Sequence, residues 1–260
     1  MKFEDLTITA LVWGFFSILP WAYVLIATYP KSFGNSLSID QNTTKQISFL
    51  RVLMVSALCF LAGILSTYLI LEVNPIIWPQ VEIKAKKPKS LLTQTIHLAF
   101  IQAGMVEEAF KISFILLIGF FLLRNPDKTW NKGIVPAAGF TALGFAFIEN
   151  SYYIFSEVPE KRFETYIGRT IHSSNIHMLI NLCFALFLLK SNSIPSISSR
   201  RGLVGFAFFL AVMQHGVVDF FLIPASNLGA WIATAMFIGI WVWVVRDYRV
   251  YVLDKKLNPI

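Results

Sequence analysis

The stretch "GMVEEAFKISFILLIGFFLL", Gly104 to Leu123, decides the fold. Two adjacent carboxylates, Glu107 and Glu108, and the ammonium of Lys111 head a run that is otherwise almost wholly apolar. A run of about 20 apolar residues is long enough to cross ~30 Å of hydrocarbon as a helix. A charge near mid-bilayer costs at least ~2.5–3.5 kcal/mol on insertion scales, so three ionisable groups at the head of such a run need a reason.

Working outward, similar runs recur along the whole chain. Of 260 residues, 56% are hydrophobic and only 14% charged, against roughly 25% charged in soluble domains. Backbone groups in lipid must be satisfied internally, so the runs read as helices. No alternation of period two supports a β-barrel. The expected fold is an all-α polytopic membrane helix bundle forming a single integral-membrane domain over 1–260. Seven spans are expected, at about 8–29, 48–71, 91–123, 134–155, 163–190, 202–223 and 229–245. The 33 residues of the third would reach ~50 Å as one straight helix. Either it tilts, or 91–102 is a separate segment with Gly104 as the break, which would make eight.

The first run is too long for a signal-peptide core and lacks a basic leader and a small-residue cleavage site, so it reads as a span. Cys59 and Cys183 fall inside apolar runs without metal or disulfide spacing and read as small core residues. Asn42-Thr43-Thr44 is a glycosylation sequon of low specificity. The net charge of +7 comes from short basic clusters between apolar runs, the flanking pattern of membrane spans, and does not suggest nucleic-acid binding. With seven spans, thirteen loop Lys/Arg fall on one side and seven on the other. The positive-inside rule then puts the C-terminus in the cytoplasm of a multi-pass cell-membrane protein; the basic run at 84–89 is the misfit.

Four of the apolar runs carry Glu107, Glu108, Lys111, Glu149, Arg169, His172, His177, His215 and Asp219, and His97 precedes them. Glu107 and Glu108 lie four and three residues before Lys111, and His215 lies four before Asp219, so each pair shares a helix face. A structural ion pair accounts for one carboxylate of the Glu107–Glu108 pair, and Arg169 reads as a counter-ion. His97 and His172 read as satisfied hydrogen-bonders. Packing alone does not call for the rest. Glu107, Glu108, Glu149, His177 and His215 on four helices can converge on one site within 91–223.

Four motifs in order, "EEAFK" at 107–111, "FAFIENSYY" at 145–153, "RTIHSSNIH" at 169–177 and "HGVVD" at 215–219, resemble the PrsW family of intramembrane proteases. That family is distantly related to the CAAX prenyl endopeptidase and bacteriocin-processing superfamily. The resemblance implies regulated, site-1 type proteolysis of a membrane-anchored, anti-sigma-factor-like protein on its extracytoplasmic side. It also implies that Glu107, Glu108 and His177 are needed for activity. The wider superfamily carries a His where this chain has Glu149, and an Asn where it has Asp219.

Peptide hydrolysis needs an activated water, an oxyanion stabiliser and a proton donor for the leaving amine. The residues allow Glu107 to activate the water, with Glu108 or Glu149 orienting it and Lys111 holding one carboxylate ionised. His215, oriented by Asp219, or His177 would donate a proton, and Asn150 offers a further donor. The sequence reading favours a metal-free, glutamic-type protease. The alternative is a divalent metal such as zinc on His177, His215 and one or both of Glu108 and Glu149. A proton-coupled transporter using the same buried Glu and His, and a non-catalytic scaffold, are the competing classes.

Overall fold

The computed structural model describes residues 7–29, 49–77, 88–223 and 226–254. The sequon at Asn42 and the basic stretch 84–87 lie outside them. The described residues are helical apart from short connections, and their one β-bridge pairs Arg124 with Trp130. The helices are α1 (Ile8–Thr28), α2 (Phe49–Ile77), α3 (Pro88–Ile96), α4 (Glu108–Leu122), α5 (Ile134–Ser156), α6 (Arg162–Gly168), α7 (Ser174–Ser191), α8 (Ile197–Leu222) and α9 (Asn227–Tyr251). Thr7, Ser196 and Ser226 cap α1, α8 and α9, each side-chain oxygen accepting a backbone N–H of the first turn.

The expectation about the length of the third run is resolved by an unusual turn. α3 runs into α4 without a break through a π-helical stretch, His97–Glu107, so the third run is one helix and no eighth span is needed. Gly104 does not break it. A Cβ there would stand 2.9 Å from the Val212 carbonyl of α8, so glycine is where this wide stretch presses against its neighbour. The i→i+5 pattern spreads the same residues over a shorter axial length. A second π-helical stretch, Arg169–Ser173, joins α6 to α7. Among the described residues six helices are long and apolar enough to cross a membrane: α1, α2, α5, the continuous 159–191 segment, α8 and α9. The chain is a multi-pass membrane protein.

α5 and α7 form the buried centre, while α1, α2, α8 and α9 keep apolar faces outward. α2 and α5 cross almost backbone to backbone. A Cβ at Gly63 would lie 2.0 Å from the Thr141 carbonyl, and one at Gly144 would lie 2.0 Å from that of Phe60. Small residues permit this contact, which in lipid replaces hydrophobic driving force with close packing.

The helix ends sort into two groups. The Tyr248 hydroxyl donates to the Thr28 carbonyl, Lys132 reaches the Val252 carbonyl and Asp254, and the Trp130 N–H donates to Asn192. These contacts gather the ends of α1, α7 and α9 and the start of α5 at one end of the bundle. At the other end Trp13 packs edge-on against Phe163 and Tyr166.

Candidate functional site

The residues of the four sequence motifs meet between α4, α5, α7 and α8. Glu107 ends the first π-helical stretch and Glu108 begins α4. Lys111, one turn on, is fully buried, with its Nζ 2.6 Å from Glu108 Oε1 and 3.6 Å from Glu107 Oε2. The same ammonium lies 3.2 Å from His177 Nδ1 and 4.2 Å from the centre of the Phe145 ring. An ammonium only donates, so it contacts an unprotonated Nδ1, and the His177 proton sits on Nε2. That nitrogen is 3.0 Å from Glu149 Oε2.

His215 stands beside His177, ring centres 5.1 Å apart. Its Nδ1 is 2.8 Å from Glu108 Oε1 and donates to it. Its Nε2 is left facing Asp219 Oδ2 at 3.4 Å and Glu107 Oε2 at 3.8 Å. Gly216, next to it, admits the Phe100 ring, which a Cβ would meet at 2.4 Å.

The charges separate into roles. Glu108 is fully buried and Lys111 neutralises it. Glu149 is ion-paired with Arg169, whose guanidinium also lies 4.2 Å from the Tyr153 ring centre. Glu107 is left as the carboxylate without a dedicated cation. Its Oε2 is enclosed yet accepts no hydrogen bond, while its side chain is 15% exposed, against 0% for Glu108. An ionised oxygen held like this is costly unless something fills the space beside it.

That space is a cavity of about 800 Å³. Glu107, Glu149, His177, His215 and Asp219 all line it, and Glu108, Lys111 and Asn150 do not. Further lining comes from Gln102 of the first π-helical stretch, from Tyr153, Arg169, His172 and Ser173, and from Ala233 and Phe237 of α9. Two of these lining residues, His172 and Phe237, pack edge-on against each other. His97 does not line the cavity.

Two sequence expectations change here. Asn150 is fully buried, and both of its amide protons go to Ser17 and Ser174, so it offers no donor to the cavity. Its carbonyl oxygen accepts from Arg169 Nε at 2.7 Å. For a metal, the group whose ligand atoms approach one another within 4.8 Å is Glu107, His177 and His215. Glu107 thus stands where Glu108 and Glu149 were expected. Arg169 is indeed a counter-ion, but it also faces the cavity. The contribution of Ser17 on α1 has no signature in the sequence, because a serine in an apolar run is unremarkable.

Residues 51–245 match the model of the family described as PrsW family intramembrane metalloprotease. The protease PrsW of Clostridioides difficile (strain 630) is 31% identical over 130 residues, which cover 50% of this chain and 53% of that protein. The match thus spans about half the length of this curated relative. No solved structure matches the chain. With the matched region holding every residue that lines the cavity, the chain belongs to the PrsW family of intramembrane proteases.

Proposed function

We propose that this protein hydrolyses a peptide bond of a membrane-anchored protein, with Glu107 as the general base. The observation that carries the proposal is the Glu107 Oε2 atom, enclosed at the wall of the cavity with no hydrogen bond of its own and the two histidines beside it. Glu107 takes a proton from the attacking water as the C–O bond forms, then delivers it to the leaving nitrogen as the C–N bond breaks. Glu108 orients His215 through Nδ1. Glu149 and Lys111 hold the His177 ring from its two nitrogens.

The donor set suits a divalent metal such as zinc. One carboxylate and two imidazoles are common zinc ligands. Here one carboxylate oxygen accepts no hydrogen bond and one imidazole, His215, is fixed through its far nitrogen by Glu108, the usual support for a metal-ligating histidine. Glu107, His177 and His215 would hold the ion, and Glu107 would then serve as a ligand in place of acting as the free base. His177 would have to exchange one of its present contacts, with Lys111 or with Glu149, to take part. Bound there, a metal would supply Lewis-acid polarisation of the scissile carbonyl and of the water. The sequence alone favours a metal-free base; this donor set and the family description favour the metal.

The substrate reading is a single-span, anti-sigma-factor-like protein cut on its extracytoplasmic side. Glu149 lies seven residues before the end of α5 and His215 seven before the end of α8, about 10 Å of helix at 1.5 Å per residue. Both helix ends are at the end of the bundle poor in loop Lys/Arg, which the positive-inside rule assigns to the outside. The named lining residues lie between the site and that end, which speaks against a proton or solute path through the whole bundle.

The test is Glu107→Gln, assayed on detergent-solubilised protein with single-span reporters. Loss of cleavage by roughly 10²–10⁴-fold with an unchanged melting temperature is expected for a general base. Wild-type cleavage by the variant would sink the assignment.

A further inference from the structure

Helix α1 lies outside the residues that match the family, yet it is wired into the site. We propose that Ser17 of α1 is a positioning residue for the Glu149 carboxylate, acting through Asn150 and Arg169, with Trp21 holding the backbone that carries Arg169.

Every hydrogen bond in this chain has a fixed direction. Arg169 Nε can only donate, and it lies 2.7 Å from Asn150 Oδ1, which orients the amide. Asn150 Nδ2 then has two protons, which reach Ser17 Oγ and Ser174 Oγ, each at 2.8 Å. Ser17 spends its own proton on the Gly14 carbonyl at 2.7 Å, and Ser174 spends its own on the Ser17 carbonyl at 3.2 Å. Neither hydroxyl has a proton left to oppose the amide, so both accept. Asn150 therefore cannot flip, and the guanidinium is held from its Nε side while a terminal nitrogen pairs with Glu149. Glu149 in turn faces His177 Nε2 at 3.0 Å. Ser17, Asn150 and Ser174 are fully buried, so water does not compete for these bonds.

The second tie is on the backbone. Trp21 Nε1 donates to the Thr170 carbonyl at 2.6 Å, within the π-helical stretch that starts at Arg169. A π-helical turn is a local irregularity that neighbouring groups must stabilise. α1 thus fixes Arg169 twice, at its side chain and at the backbone next to it. In a low-dielectric interior such fully satisfied networks define one geometry, because each alternative strands a buried polar group.

This inference rests on Glu149 and His177 belonging to the proteolytic site, and its test separates the two ideas. The full-length protein is compared with Ser17→Ala, Ser17→Thr, Trp21→Phe and the lipid-facing control Phe16→Leu. Cleavage of fluorescently labelled β-casein in detergent gives kcat and KM, and ¹⁵N-histidine NMR reports the four imidazoles. Ser17→Ala is expected to lower kcat roughly 10- to 100-fold, the range for residues that orient a catalytic group, with KM unchanged. It should also shift or broaden the His177 Nε2–H signal while those of His97 and His172 stay in place. Ser17→Thr keeps the hydroxyl and restores both readouts. Trp21→Phe deletes one N–H at nearly constant volume and moves the same signal if Ser17→Ala does not fold. A wild-type His177 signal and wild-type kcat in folded Ser17→Ala would overturn the proposal. So would an equal loss in Phe16→Leu. If the wild-type protein cleaves neither casein nor the single-span reporters, the proteolytic reading fails and the NMR comparison still decides the role of α1.

Discussion

Glu108 and Lys111 are both fully buried and 2.6 Å apart. Removing one member of such a pair leaves an uncompensated charge and costs about 3–5 kcal/mol. Lys111→Met should therefore lower the stability of the detergent-solubilised protein by about that amount. The double variant Lys111→Met/Glu108→Leu should recover most of it while remaining inactive, because His215 Nδ1 and His177 Nδ1 both lose their partners. Thermal unfolding and cleavage measured together check this, and a Lys111→Met protein as stable as wild type would contradict it. For the metal, elemental analysis of purified protein should find about one zinc per chain if all three ligands engage, and His215→Ala should lose it. Full activity in chelator-treated, metal-free protein would instead restore the glutamic reading. At this scale the sequence is informative where partners share a helix. Glu108–Lys111 and His215–Asp219 follow from helical spacing alone. Lys111–His177, Glu108–His215 and Glu149–Arg169 cross between helices, and no spacing rule reveals them. Helical spacing lets Lys111 meet either of the adjacent carboxylates; that Glu108 is the one turned inward is settled by the neighbours that α7 and α8 bring.

Among elements, the spans are legible because length and apolarity are all that a bilayer crossing requires. The π-helical stretches are not, since the i→i+5 pattern arises from packing and leaves no composition signal. Both stretches face the cavity: Gln102 and Glu107 project from the first, Arg169, His172 and Ser173 from the second. Gly144 lies against the Phe60 carbonyl of α2, a partner that no spacing in the sequence reveals. That contact ties α2 to the helix carrying Glu149. Gly144→Leu would force a side chain into a backbone 2.0 Å from its Cβ, and overpacking of this kind costs about 1–3 kcal/mol or more. The variant should melt earlier and lose activity together with stability. Gly205→Leu, where a Cβ would meet nothing within 4 Å, should do neither. Equal behaviour of the two would mean that the α2–α5 crossing is not what holds α5.

At the scale of the whole molecule, the position of the site along the membrane normal follows from the bundle ends. The Lys132–Asp254 and Trp130–Asn192 contacts put the 124–133 loop, the end of α7 and the end of α9 together, and this end carries most of the loop Lys and Arg. We propose that this is the cytoplasmic end, as the positive-inside rule expects. The connection between α5 and α6 then faces outward, on the side nearer to Glu149 and His215. Single cysteines introduced at Glu160 and at Ser193, with Cys59 and Cys183 replaced by serine and alanine, give the test. A membrane-impermeant maleimide added to intact cells should label the Glu160 position and leave Ser193 unlabelled until the membrane is opened. Reversal would turn the site toward the cytoplasm, and with it the side on which a substrate is cut. If the outward orientation holds, the scissile bond of a single-span reporter should map within about 10 Å of the outer membrane boundary, the depth that seven helical residues allow. Mass spectrometry of the cleaved reporter reads that position directly. A cut on the cytoplasmic side, with labelling as expected, would place the reacting bond away from the cavity lining found among the described residues, and would require a different site from the one built around Glu107.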